Sequence, residues 1–489
     1  MDSSIHWLEP VLTILTSPTI SLTQRKSPTL AFQTPLHDKL LSRKNDIDRI
    51  TTEGVWDDAK KLTNPYEFIF LSLQRRMSSS ISAIQPLSRS FFKMIEIWDK
   101  VFLHNETINK STHTAEGPGG FLEAIQYRSG SPIPMLAMTL KSKVRSVPGW
   151  RKSQTFLQQH PDVRITYGAD GTGDLYKLAN QDVFASESGG RTSDLYTADG
   201  GFDFSADYNG QENTVQRLLV SEALAGLNTL KPGGTMILKL FDTKCRSTLE
   251  ILWIVSSCFE KTGILKPSTS RPANSERYFI GWKCRDTIPT WIPQLFRTMT
   301  ATDAQNGWDT LSTIVFSDRW IQQIQTIQEQ VEMYQYAVIQ QTFDLIRTPT
   351  REIIISCLTE NIRHSREWCV SHMIPMSFTD ISDGQLVTMN LEEVLAPFQA
   401  SVAQMNLQGS SPLPQTHRVW TLTPAQRILT GQAWRTELPA SVRGRLPSQT
   451  DAETPVDTQI IEVSPQSFPS SELPFSQIVE PLLQLLPLI

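Results

Sequence analysis

From about residue 111 to 285, short apolar runs alternate with helix-length stretches, and several runs end in glycines beside a carboxylate. The runs of strand length are 112–116, 133–140, 163–167, 194–199, 234–240 and 277–283. Between them, 120–128, 212–230 and 247–260 have helical spacing, with Val215, Leu218, Leu219 and Ala223 on one face of the second. Leu230-Lys231-Pro232-Gly233-Gly234 stops that helix. Strands separated by helices pair in parallel, so the segment is expected to form an α/β, doubly wound, mainly parallel sheet. Loops at the carboxyl ends of such strands converge on one crevice, where polar residues become candidates for chemistry.

Five segments meet that description. Glu116-Gly117-Pro118-Gly119-Gly120-Phe121 joins a strand to a helix, and its glycines let a ligand approach the backbone. It is not the dinucleotide fingerprint, because the third glycine of that motif falls on Leu122, which disfavours a dehydrogenase. Gly168-Ala169-Asp170-Gly171-Thr172-Gly173-Asp174 follows the next run but one: either Asp174 meets an adenine amino group or Asp170 faces a ribose, and a simple Asp-Gly turn is the bland alternative. Asp199 closes Thr197-Ala198-Asp199-Gly200-Gly201-Phe202. Lys239 lies inside the apolar run Leu238-Lys239-Leu240-Phe241, where an unpaired ammonium is costly. A polar loop, Lys266 to Tyr278, leads into the last run.

The chain of 489 residues exceeds one domain of roughly 150 residues. Residues 1–60 read as an irregular or helical lead-in. Residues 61–105 are partly helical, with Phe91, Phe92, Ile95 and Trp98 spaced for one buried face. Residues 291–405 read as a mostly helical extension, with a heptad-like seam through Trp320, Ile324, Ile327, Val331, Tyr334 and Val338 that is too short for a partnered coiled coil. Residues 406–489 are rich in Pro and Ser and are expected to be a loosely ordered tail. Cys245, Cys258, Cys284, Cys357 and Cys369 form no CxxC or Cys/His cluster, so neither a disulfide framework nor a metal site is expected, and a reducing intracellular setting fits. The N-terminus lacks a signal-peptide pattern, and no apolar run is long enough to span a membrane.

Six stretches together resemble the FtsJ-like (RrmJ-type) ribose 2′-O-methyltransferases, most of all the mRNA cap enzymes of the Adrift and cap-1 type. They are Glu116 to Phe121, Gly168 to Asp174, Ala198 to Phe202, Gly210-Gln211-Glu212-Asn213, Lys239-Leu240-Phe241-Asp242 and Lys266 to Tyr278. Asn64-Pro65-Tyr66-Glu67 is similar to a segment preceding the catalytic domain in these enzymes. The resemblance covers about 60–285, so a methyltransferase domain is expected over 61–290. It implies the Rossmann-like fold of a class I methyltransferase with S-adenosyl-L-methionine as cofactor. Glu116, Gly117, Pro118, Gly119, Gly120, Phe121, Asp174 and Asp199 would bind that cofactor. It also implies a Lys-Asp-Lys-Glu tetrad, which falls on Asp199, Lys239 and Glu276, with Lys93 the best match for the first lysine and Lys100 ranked below it. The second strand's end, Met138-Thr139-Leu140, lacks the acid many methyltransferases use for the cofactor ribose.

The tetrad makes chemical sense without the family. A ribose 2′-hydroxyl must lose its proton as it attacks a methyl group, and a lysine of pKa about 10.4 is protonated at neutral pH. Burial and a second lysine are expected to push Lys239 down so that it serves as general base, with Lys93 and Asp199 tuning it and Glu276 orienting a lysine. The implied substrate is the capped 5′ end of mRNA, methylated on a cap-proximal ribose; ribosomal or transfer RNA, or an idle RNA-binding scaffold subunit of a capping complex, are the alternatives. A net charge of −5 requires any RNA-binding charge to be local. Lys141, Lys143, Arg145, Arg151 and Lys152 form a basic cluster, readable either as a solvated loop or as a phosphate contact, and Arg271 and Arg277, which flank Glu276, are further candidates to reach RNA phosphates. Other capping or transcription proteins are expected to meet the C-terminal region. The implied place is the nucleus for a cellular protein, and the cytoplasm or virion for a viral one.

Overall fold

A computed structural model describes residues 4–14, 16–22, 29–50, 55–70, 80–102, 107–144, 147–201, 211–303, 307–309, 314–348 and 350–376. In chain order its elements begin with β1 (His6–Trp7), α1 (His37–Ile47), α2 (Val55–Leu62), α3 (Ser90–Val101), β2 (Ser111–Thr114), α4 (Gly120–Ser129), β3 (Met135–Met138), α5 (Gln154–Gln159), β4 (Val163–Thr166) and α6 (Leu178–Glu187). They continue with β5 (Ser193–Ala198), α7 (Gln211–Thr229), β6 (Leu230–Leu240), α8 (Arg246–Ser256), β7 (Phe259–Leu265), β8 (Arg277–Cys284), α9 (Trp291–Ala301), α10 (Asp318–Arg347) and α11 (Arg351–Ser371).

The eight strands form one sheet in the order β1-β7-β8-β6-β5-β2-β3-β4. β4, β3, β2, β5 and β6 run parallel, while β8 returns antiparallel between β6 and β7. The winding reverses between β2 and β5, whose ends align with Thr114 opposite Ala198. Ligand crevices of open α/β sheets form at such a reversal. The expected doubly wound, mainly parallel fold is the observed one.

β2 reads Ser-Thr-His-Thr, polar yet wholly buried. Buried polar groups must be hydrogen-bonded, and these are: Ser111 Oγ to His113 Nε2 (2.8 Å), Thr112 to Thr229 (3.0 Å), His113 Nδ1 to Thr197 (2.7 Å), and Thr114 to Tyr196. α7 packs on this centre through Leu219, Val220, Ala223 and Leu224. Val215 and Leu218 are only half-buried, so the helix faces the sheet along a line displaced from the expected one.

Two strands are unexpected, and β6 begins at Leu230 rather than at 234, taking in the Lys231-Pro232-Gly233-Gly234 segment. The expected helix 247–260 ends at Ser256, and β7 begins three residues later. β7 carries Glu260 and Lys261 beside buried Phe259 and Thr262, an alternation too brief to outweigh the preceding helical period. β1 adds to the sheet edge by pairing His6 with Ile264 and Trp7 with Gly263.

The described residues fall into two compact units, one from within 4–49 and 85–335 and the other from within 50–84 and 336–376. β1 ties the N-terminal segment to the sheet, and Ile292, Phe296, Trp320, Ile324 and Ile327 join the sheet's own core. In the smaller unit Trp56 and Phe343 meet at 5.4 Å, and Asn361 donates to the Leu62 carbonyl at 2.9 Å. Asn64 there donates to Glu67 at 2.6 Å, within the Asn-Pro-Tyr-Glu turn itself. The expected tail 406–489 and the extension beyond 376 lie outside the described residues. No helix among the described residues is long and apolar enough to cross a membrane.

Candidate active site

The glycine turn leaves β2 at Glu116 and enters α4 at Gly120. Gly119 caps the helix at φ 107°, a conformation that favours glycine. Gly120 lies against the start of α3, where an added Cβ would stand 2.3 Å from the hydroxyls of Ser88 and Ser90. The turn thereby seats α3, which carries Lys93. The Phe121 ring is buried and packs 5.8 Å from the ring of Tyr278, so it supports the turn from within.

Lys93, Asp199, Lys239 and Glu276 come together beside this turn. Lys93 Nζ lies 2.7 and 2.9 Å from the two Glu276 oxygens. Lys239 Nζ donates to the Asp199 carbonyl at 2.8 Å, and lies 3.3 Å from Asp199 Oδ1 and 3.9 Å from Glu276 Oε2. Each comes from a different element: Lys93 from α3, Asp199 from the end of β5, Lys239 from β6 and Glu276 from the residue before β8. Lys100 is two turns further along α3, about 10 Å from Lys93 along the axis, and is not the residue at this cluster.

Electrostatics corrects one expectation. Burial lowers Lys239, but Asp199, Glu276 and Glu222 outweigh it and hold the amine above its ordinary value. The surrounding carboxyl groups thus raise Lys239 rather than depress it. Glu276 is raised by burial, but Lys93 and Lys239 dominate and hold it below the usual carboxylate range.

Several supports are not singled out as site residues by the sequence. Tyr278 donates to Asp199 Oδ1 at 2.8 Å and Ser270 to Glu276 Oε1 at 2.8 Å. Tyr278 lies two residues from Glu276 and on the same face of its strand, which is the signal that could have found it. Glu222, on α7 beneath Gly200, is pushed up to about 8 chiefly by burial. Glu212, from the Gly-Gln-Glu-Asn stretch, accepts the N–H groups of Lys244 and Cys245 and so shapes the loop after β6.

The residues beside β2 and β4 fit an amino-acid-bearing nucleoside. Glu116 is wholly buried; Thr197 donates to Oε1, and Oε2 has no hydrogen bond among the described residues. Burial raises its carboxyl well above the ordinary carboxylate range. Asp174 accepts the Tyr176 N–H through Oδ1 at 2.9 Å. Its loop folds over the end of β3, where Lys141 N–H donates to the Thr172 carbonyl at 2.7 Å. Asp170 is exposed and engaged by its own turn, bonding Thr172 and Lys177.

The basic residues divide. Lys141, Lys143, Arg151 and Lys152 are exposed after β3, and their loop reaches the glycine turn where Ser153 donates to the Pro118 carbonyl. Arg145 lies outside the described residues. Arg277 is a correction: it is fully buried, 3.3 Å from Asp242 and 3.1 Å from the Ser275 carbonyl, out of reach of RNA. Period-two alternation explains it, since Arg277 points away from the face that Tyr278 shares with the site. Arg271 is half-buried. All five cysteines are free and buried, and no group of His, Cys, Asp and Glu among the described residues is arranged to hold a metal.

Residues 86–284 match the model of the FtsJ-like methyltransferase family. Three relatives are each named cap-specific mRNA (nucleoside-2′-O-)-methyltransferase 1. That of Trypanosoma cruzi is 29% identical over 265 residues, covering 52% of this chain and 69% of the relative. That of Leishmania braziliensis is 36% identical over 171 residues, 34% of this chain and 41% of the relative. The mouse protein is 29% identical over 234 residues, 45% of this chain and 27% of the relative. The chain thus spans less than half the length of the last two.

Proposed function

We propose that this chain, whose residues 86–284 belong to the FtsJ-like methyltransferase family, transfers a methyl group from S-adenosyl-L-methionine to a ribose 2′-hydroxyl near the cap of mRNA. One observation carries the reading: two lysines and two carboxylates from four separate elements meet beside the glycine turn. An ion cluster of this kind, three of its members from strand ends, is a poor device for stability alone, because burying ions costs several kcal/mol each before pairing. The names of the relatives supply the cap as substrate.

Glu116 and Asp174, with the backbone of Gly117, Pro118, Gly119 and Gly120, are the residues proposed to hold the cofactor. When bound, it supplies a methyl group on a positively charged sulfur that becomes a neutral thioether on transfer. Lys239, fixed by Asp199, orients the attacking oxygen. In the transfer the ribose oxygen gains the methyl carbon and releases its proton. Lys239 accepts that proton only from its neutral form, and a positive charge brought near it favours that form. Lys93 stays with Glu276 and keeps that carboxylate from fully neutralising Lys239. Holding the ribose hydroxyl toward the site that Glu116, Asp174 and the glycine turn form for the cofactor would supply much of the remaining acceleration.

Ribosomal or transfer RNA is the second substrate reading, and an idle scaffold is a third that the assembled tetrad disfavours. Lys141 and Lys143 are proposed phosphate contacts, and other capping or transcription proteins are proposed to meet the C-terminal region. The relatives are cellular, so the nucleus or cytoplasm is proposed rather than a viral particle. The test is incubation with labelled S-adenosyl-L-methionine and short RNAs, capped or uncapped, followed by digestion. Label on a cap-proximal ribose is expected. Label on a base overturns the ribose assignment, and equal labelling of uncapped RNA overturns the cap assignment.

A further inference from the structure

The loop from Lys266 to Glu276 is gripped from two directions by buried groups that the proposed transfer does not use. Glu96 lies three residues after Lys93 on α3, on nearly the same face. Its fully buried carboxyl accepts the Ser268 N–H and hydroxyl at 2.8 and 2.9 Å through Oε1. Through Oε2 it accepts the Thr269 N–H and hydroxyl, both at 3.2 Å. From inside the loop, Lys266 donates to the carbonyls of Glu276 (2.8 Å) and Asn274 (3.0 Å). Asn274 Oδ1 in turn accepts the Glu276 N–H at 3.2 Å, and Ser270 donates to the Glu276 carboxylate.

We propose that Glu96 and Lys266 are positioning residues of the methyl-transfer site, clamping this loop against α3 so that Glu276 is aimed at Lys93 and Lys239 before substrate arrives. The proposal rests on the function reading above. A single Lys93–Glu276 contact would leave the loop free to pivot about that point. A second attachment one helical turn away removes the pivot. Both residues are too buried to touch RNA or cofactor, at 0% and 4% exposure, so they act through Glu276. Burial also pushes the Lys266 amine down to about 7, and its two short hydrogen bonds go to backbone carbonyls rather than to the Glu276 carboxylate.

The test uses the full chain carrying Glu96→Gln, Glu96→Asp or Lys266→Met. Steady-state transfer should show kcat lowered about 10–100-fold in Glu96→Gln, because small misplacements of catalytic groups cost that much, with KM for S-adenosyl-L-methionine within about twofold. Glu96→Asp should recover part of the loss. Added to Glu276→Gln, Glu96→Gln should cost little more, since residues acting through one group are not additive. Full additivity, or unchanged kcat per folded molecule, overturns the proposal. A readout independent of activity is amide hydrogen exchange of the loop from Lys266 to Glu276, whose Ser268 and Thr269 N–H groups Glu96 holds. Exchange there should quicken in Glu96→Gln and return toward wild type in Glu96→Asp; unchanged exchange overturns the clamp. If wild-type protein labels no RNA, the function reading fails, while exchange in the loop still decides the clamp. Should Lys266→Met not fold, the two Glu96 variants decide alone.

Discussion

The Lys93 ammonium lies between the two oxygens of the Glu276 carboxylate, 183 residues away in the chain, at 2.7 and 2.9 Å. Removing one partner of a buried pair strands the other's charge. Lys93→Met and Glu276→Ala should therefore each lower single-turnover transfer by about 100-fold or more, since groups that act as a unit lose function together. The double variant should fall little below either single one. Cofactor affinity, measured by calorimetry, should stay near wild type, because neither residue is in the glycine turn. A double variant as impaired as the product of the single losses would mean that the two residues act separately.

Asp199 and Glu276 hold the Lys239 amine above its ordinary value. If its neutral form accepts the ribose proton, kcat should rise with pH across the neutral-to-alkaline range. Asp199→Asn removes one of the charges that raise the amine, so the rising limb should move to lower pH while the maximal rate drops. Lys239→Ala should abolish transfer and leave cofactor binding intact. A pH profile in Asp199→Asn identical in position to wild type would remove Lys239 from the proton path.

The strand ends are legible in the sequence because each couples a short apolar run to an acid or lysine, a signal contained within a few residues. Asp199, Lys239 and Glu276 stand out that way, and the sheet reverses where Glu116 and Asp199 lie adjacent. The pairing within the tetrad is not legible, because Lys93 reaches Glu276 only through the packing of α3 on α4. The charge state of Lys239 is hidden for a related reason. Burial is visible in the apolar strand, whereas three carboxylates from β5, α7 and the loop before β8 converge only in three dimensions. Arg277 departs from its expected role because neighbouring residues on a strand point to opposite faces. β1 and the split of the compact units follow from long-range pairing that no local pattern encodes.

Gly120 offers a test of the link between cofactor turn and catalytic helix. A Cβ there would stand 2.3 Å from two serine hydroxyls and 2.9 Å from the Phe91 nitrogen, closer than real contacts allow. The serines can rotate, but the Phe91 backbone can move only with α3. Gly120→Ala should therefore weaken cofactor binding and also lower kcat at saturating cofactor, by about 10-fold or more if Lys93 shifts by an ångström. An effect confined to cofactor affinity would show that the turn does not seat α3.

Glu222 predicts a pH dependence of stability whose sign can be worked out. Its carboxyl is pushed up to about 8, chiefly by burial, against an ordinary value of 4.5. Between those values the folded chain holds a proton that the unfolded chain releases. The contribution is fully present below about pH 4.5 and is lost as pH rises through about 8. The span corresponds to a stability change on the order of a few kcal/mol, the attraction of Lys239 for the ionised form having already held the carboxyl down to about 8. Gln at this position stays neutral throughout. Glu222→Gln should consequently flatten the decline of Tm between pH 5 and 8 in scanning calorimetry, with the remaining slope owed in part to Glu116, whose carboxyl is raised in the same direction. An unchanged slope would mean that Glu222 is ionised in the folded chain, and that Lys239 is its partner rather than only its neighbour.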